Sequence, residues 1–207
     1  MTLPPAAAQR QLKHRRRFDV QVFARGEGLW EVDATLVDLR PTDTLMANSL
    51  RPAGTPLHDM LLRLVVNERF DILEAGSETR WMPYPAQCGE HGDAYSRLVG
   101  LNLMQDFRRR LRERVGGVLG CTHITELAQV LPTAVVQAFA GGPIDTRGQQ
   151  ADARQPFQID RCHALRSSGE VVRLHYPRWH RPGPAATGTP PNPKTDPTRE
   201  PKSEEPQ

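Results

Sequence analysis

In the first half of the chain, apolar residues recur at every second position. Phe18, Val20 and Val22 alternate with polar neighbours in RFDVQVFA. Trp30, Val32, Ala34 and Leu36 do the same against Glu31, Asp33 and Thr35 in LWEVDATLVDL. Period two is the mark of a strand with one buried face. Arg25-Gly26-Glu27-Gly28, between the two runs, predicts a hairpin turn. A third alternation, Met60, Leu62, Leu64 and Val66 in PLHDMLLRLVV, leads through a turn near Asn67-Glu68 to a returning segment, RFDILEAGS. His58 shares the parity of Met60 and so ends the inward row, whereas Asp59 faces the other way. The stretch 41–56, interrupted by Pro41, Pro52 and Gly54, predicts one short strand.

The pattern then changes. RWMPYPAQCGEHGD reads as loop, and a short helix is expected around Ala94–Val99. Phe107, Leu111 and Val115 recur at a helical spacing behind Asp106, a good N-cap residue, and Gly116-Gly117 ends that helix. Ile124, Leu127, Ala128 and Leu131 share one side of a helix over 122–131. Pro132 breaks or restarts it, and TAVVQAFA carries it on to Gly141-Gly142. IDRCHALRSSGEVVRLHYPRW reads as two extended pieces joined at Ser167-Ser168-Gly169, with a short helix at 159–166 as the alternative. Strands followed by helices predict an α+β fold: an antiparallel N-terminal sheet of about four to five strands packed by C-terminal helices, plus an extended C-terminal arm.

Composition divides the chain further. Its 207 residues suffice for one domain with a real core. Residues 1–16, ending in Lys13-His14-Arg15-Arg16, read as a flexible basic arm, and 17–181 as a single α+β domain. Residues 182–207 carry eight prolines and only Ala185 and Ala186 as apolar residues, which predicts disorder. A net charge of +3, with a pI near 9.0, favours solubility and argues against nucleic acid as the partner. Positive charge is clustered at Arg15–Arg17 and Arg108–Arg114, a pattern that also suits docking to a protein partner. Three cysteines, an odd number, point to a reducing compartment. With no signal-like or membrane-spanning apolar run, the expected location is the cytoplasm, away from membrane.

Chemistry concentrates in GGVLGCTHITEL, Gly116–Leu127. Cys121 is expected at a helix start, where unpaired N–H groups favour a thiolate, and a small buried thiol is the alternative. His123 lies two residues on, and side chains at i and i+2 of a helix diverge. The two converge only if Cys121 precedes the helix proper, as it would with Thr122 as N-cap. Glu126 is spaced to orient His123 or to complement the helix dipole. His58-Asp59 suits metal ligation or a base with its orienting carboxylate. Cys88 and His91 have C-x-x-H spacing, half of a zinc site. Cys162-His163 adds a third sulfur–imidazole pair. Hydrolase nucleophile elbows, Walker loops and dinucleotide fingerprints are absent from the sequence.

LWEVDATLVD, PLHDMLLRLVV, YSRLVGL, RRRLRERVGGVLGCTHITEL and IDRCHALRSSGEVVRLHYPRW together resemble a bacterial family catalogued as domain of unknown function 2889. That likeness spans most of 15–180 and implies no reaction. HDMLLRLVVNERFDILEAGSET is also similar to the strand hairpin of U-type iron–sulfur cluster scaffolds. His58 stands where their first cysteine would be, Asp59 near their aspartate, Cys88 in the following loop and Cys121 at the late helix, with Gly120 where a histidine would precede it. The likeness implies a metal-binding accessory protein, and with these departures from the scaffold pattern a mononuclear site of mixed ligands, His58, Asp59, Cys88 and Cys121, suited to zinc or iron, fits better than a cluster. Three functions remain open from sequence: a metal-binding accessory protein, a thiol-dependent enzyme with Cys121 as nucleophile and His58 or His123 as base, and a non-catalytic protein- or nucleic-acid-interaction module.

Overall fold

A computed structural model of the chain describes residues 3–46, 49–91, 93–146 and 154–183. They fall into two compact units, the first ending at Ile144 and the second starting at Asp145. The proline-rich tail expected from 182 lies outside the described residues from 184 onward.

The four long strands are those the alternation and the returning hairpin segment predict. β1 (Arg15–Gly26), β2 (Leu29–Leu39), β5 (Pro56–Asn67) and β6 (Ile72–Trp81) form an antiparallel sheet in the order β1-β2-β5-β6. β1 opens at Arg15, so the last two residues of the expected arm are strand. The segment between β2 and β5 is a small hairpin, β3 (Thr44–Leu45) and β4 (Leu50–Arg51). At the first turn Gly26, Glu27 and Gly28 all take positive φ, a conformation that glycine adopts without a Cβ clash. At the second, the Asn67 side-chain oxygen accepts the N–H groups of Arg69 and Asp71.

One face of the sheet is buried and the other wet. Val32, Ala34 and Leu36 of β2 line up with Met60, Leu62, Leu64 and Val66 of β5, all at most 1 % exposed. The opposite face carries ion pairs such as Arg63 with Asp33, bidentate at 2.6 Å. Helices supply the second layer of the core. α2 (Phe107–Val115) contributes Phe107, Leu111 and Val115; α3 (Thr122–Ala128) contributes Ile124, Leu127 and Ala128; α4 (Leu131–Phe139) contributes Leu131, Val135 and Phe139. Pro132 sits in the first turn of α4, where its missing N–H costs nothing. Phe139 packs on Trp30 and Phe70 with centroids at 4.9 Å, which seats α4 at the hairpin end of the sheet. α3 packs against β2 and β5.

Three local expectations are corrected. The loop after β6 contains a single helical turn, α1 (Pro85–Cys88), begun by a proline at its first position. Asp106 stands at the N-cap of α2 without capping it through its side chain, which pairs instead with Arg109. In the second unit the two extended pieces are absent: turns run to 165 and helix α5 (Glu170–His175) follows Gly169. An extended reading ignores the Glu170–Arg173 pair one turn apart, which belongs to a helix. Among the described residues no helix is long and apolar enough to cross a membrane.

Candidate metal centre

The inward rows of the sheet end in polar residues, and the strand register brings those ends together. Arg16 of β1 pairs with Asp38 of β2, and Asp38 with His58 of β5. Asp38 continues the row Val32-Ala34-Leu36, so its carboxylate is carried inward with them and its side chain is only 2 % exposed. A buried carboxylate must be paired and hydrogen-bonded. Arg16 supplies a bidentate grip, Nε to Oδ1 and Nη2 to Oδ2, each at 2.8 Å. His14 Nε2 stands 3.0 Å from Oδ1, and His58 Nδ1 3.0 Å from Oδ2.

Helix α3 brings the remaining groups. Cys121 is its N-cap residue, in an extended conformation, and its carbonyl accepts the first helical N–H, that of Thr125. The cap is therefore Cys121 rather than Thr122, and the condition for convergence is met: Cys121 Sγ lies 3.8 Å from His123 Nδ1. His123 stacks on His58 with centroids 3.8 Å apart, and its Nε2 is 3.9 Å from Asp38 Oδ2. Glu126, one turn on, takes the free end of the Arg16 guanidinium at 2.5 Å rather than orienting His123.

A second layer fixes Cys121. The Tyr95 hydroxyl donates to the Cys121 carbonyl (2.6 Å), accepts the Cys121 N–H (3.0 Å) and meets the Thr125 hydroxyl (2.9 Å). Burial pushes the Tyr95 phenol up to about 12, so it stays a donor at all ordinary pH values. Gly120 permits the approach: a Cβ there would stand 2.7 Å from the Val115 carbonyl oxygen. Tyr95→Phe, which leaves the Cys121 N–H without its acceptor and its carbonyl with only the Thr125 N–H, is expected to lower unfolding free energy by about 1–3 kcal/mol in a urea titration.

The electrostatics separate the carboxylate from the imidazoles. Burial works against ionisation of Asp38, but the hydrogen bond and charge of Arg16, with His14 and His58, outweigh it and hold the carboxyl below its ordinary value. Burial pushes His58 below the usual imidazole range, and the contact with Asp38 only partly opposes it. His123 is lowered by burial first, then by the positive charge of His58 and Arg16. An anionic carboxylate beside two imidazoles biased to the neutral form is the protonation state a metal ion requires.

Asp38, His58 and His123 offer one ligand atom each within 4.8 Å of one another, the group of three or more such side chains found among the described residues. Of the residues expected from sequence, His58 and His123 are in this group and Cys121 touches it. Asp59 lies on the outer face of β5, opposite Val37 and Trp81, and Cys88 ends α1; both stand outside the group. Cys162, exposed, and His163, bonded to Arg166, belong to the second unit. All three cysteines are free. Asp38, Arg16, His14 and Tyr95 are the residues that sequence reasoning misses. Asp38 alone carries a signal, its even parity with Trp30–Leu36.

A family model described as a protein of unknown function (DUF2889) matches residues 14–137, more than half of the chain. The chain belongs to this family. The match begins at His14 and contains every residue of the cluster, from Arg16 and Asp38 through His58 to Cys121, His123 and Glu126. No curated protein and no solved structure matches the chain.

Proposed function

We propose that this member of the DUF2889 family is a metal-binding protein whose ion, zinc or iron(II), is held by Asp38, His58 and His123. The convergence of their three donor atoms within 4.8 Å carries the reading. Two imidazoles and one carboxylate are a donor set for zinc, and with open positions for non-haem iron(II). An ion bound by these three residues would take the place of the His58 Nδ1–Asp38 Oδ2 hydrogen bond. Side-chain exposure rises from 2 % at Asp38 to 16 % at His58 and 27 % at His123, so the open positions face the solvent side. Three free cysteines accord with a cytoplasmic setting for such an accessory protein. The test is a titration of the full chain with Zn(II) against a chromophoric chelator. One equivalent bound tightly supports the reading, and chelator-limited behaviour with no protein-bound metal sinks it.

A second reading rests on the Cys121–His123 contact of 3.8 Å. It makes Cys121 a thiol nucleophile with His123 as base and Asp38 behind it. Iodoacetamide labelling followed by mass spectrometry discriminates: this reading expects Cys121 to react faster than exposed Cys162 and to slow in His123→Ala. Equal or slower labelling of Cys121 removes it.

A further inference from the structure

His123 has two sides, and only one of them faces the carboxylate. On the other, Cys121 Sγ lies 3.8 Å from His123 Nδ1, and its thiol donates toward the Met60 thioether sulfur at 3.8 Å. Met60 is the next inward residue of β5 after His58 and is 1 % exposed. A methionine in this row would serve as simple packing, as Leu62 and Leu64 do beside it. Here, however, it is the sulfur that the thiol meets.

We infer that Cys121 Sγ, Met60 Sδ and His123 Nδ1 form a second, soft-metal position that takes a cuprous ion. Thiolate, thioether and imidazole are the ligands that select Cu(I) over harder divalent ions. The two separations from Cys121 Sγ, each 3.8 Å, suit it as well. First-row metal bonds of about 2.3 Å to sulfur and about 2.0 Å to nitrogen place trigonal ligands about 3.7 Å apart for a sulfur–nitrogen pair and about 4.0 Å for two sulfurs. The thiol is held ready, because Tyr95 grips the backbone of Cys121 at both its N–H and its carbonyl. Binding exchanges the thiol proton for the ion: Cu(I) and the Cys121 thiol give a copper–thiolate bond and a proton released to solvent, with no change of oxidation state. The Cu(I) position shares His123 with the proposed carboxylate-side site but uses the opposite ring nitrogen, and needs neither Asp38 nor His58.

The experiment is an anaerobic competition of the full chain with a chromophoric Cu(I) chelator, in a Cys88→Ser/Cys162→Ser background so that Cys121 is the sole thiol. One equivalent of Cu(I) is expected. Cys121→Ala should weaken it by at least about a hundredfold and Met60→Leu by roughly tenfold, in line with losing a strong and a weak ligand. Met60→Leu conserves volume, and its circular dichroism and melting temperature report directly on the fold. It should leave Zn(II) affinity unchanged, whereas His58→Ala should weaken Zn(II) and spare Cu(I). Absence of Cu(I) binding, or Cu(I) affinity indifferent to Cys121→Ala or to Met60→Leu, overturns the inference. Loss of Zn(II) binding with Cu(I) behaviour intact would overturn the carboxylate-side site alone.

Discussion

Alanine at His58 or at His123 is expected to weaken Zn(II) binding by at least about a hundredfold, since removing even an outer-shell partner of a metal ligand commonly costs 10–100-fold. The effect should be separable from folding. Both imidazoles lie at the rim, 16 % and 27 % exposed, beyond the buried rows of β2 and β5, and Asp38 keeps Arg16 and His14 when either is lost. Stability should therefore change by less than about 1 kcal/mol in either variant. Asp59→Ala and Cys88→Ala provide the contrast. Asp59 faces the wet side of the sheet and Cys88 closes an isolated helical turn, so both variants should bind Zn(II) as the parent does. A loss in Cys88→Ala equal to that in His58→Ala would move the site away from the Asp38 row.

Arg16→Met carries the largest expected effect on stability. It leaves the Asp38 carboxylate, 2 % exposed, without its bidentate partner and frees Glu126 at the same time. Breaking a buried pair from one side typically costs 3–5 kcal/mol; with Arg16 itself 28 % exposed, a loss on the order of 2–3 kcal/mol is expected at pH 7. Its pH dependence has a definite sign. Asp38 is held below its unfolded-state value, so the ionised carboxylate stabilises the fold above that value, about pH 4, and this contribution fades as pH falls through the lower, folded-state value. The gap between parent and Arg16→Met should be full at pH 7 and should narrow below about pH 4. Urea titrations at both pH values, with chelator present to keep the protein metal-free, check it. A gap that widens on acidification would contradict the assignment of Arg16 as the counter-ion.

The sheet is legible in the sequence because alternation is a local signal: β1, β2 and β5 follow directly from it, as does the inward parity of His58, and β6 follows as the returning arm of the second hairpin. Cys121 and His123 are legible for the same reason, since their convergence depends only on where α3 begins. What joins them to Asp38 is non-local. Asp38 has the parity of Leu36, yet a charge at the end of an apolar row reads as the strand leaving the core. Only the pairing Arg16–Asp38–His58 across three strands shows that the charge is kept inside. Arg16 is hidden by its neighbours, because a run of basic residues looks like a solvated arm until one member is found gripping a buried carboxylate. The C-x-x-H spacing at Cys88 and the pair at Cys162 carry the opposite lesson. Ligand types at suggestive intervals say nothing about convergence, which the strand register and the helix start determine here.

The central claim is that Asp38, His58 and His123 jointly hold one ion, and an anomalous difference map from crystals of the Zn(II)-loaded full chain, recorded at the zinc edge, tests it most directly. A single peak bonded to Asp38 Oδ2, His58 and His123, with Arg16 still pairing with Glu126, is the predicted result. A peak on Cys88 or Asp59, or no peak while the Asp38–His58 hydrogen bond stays intact, would contradict it.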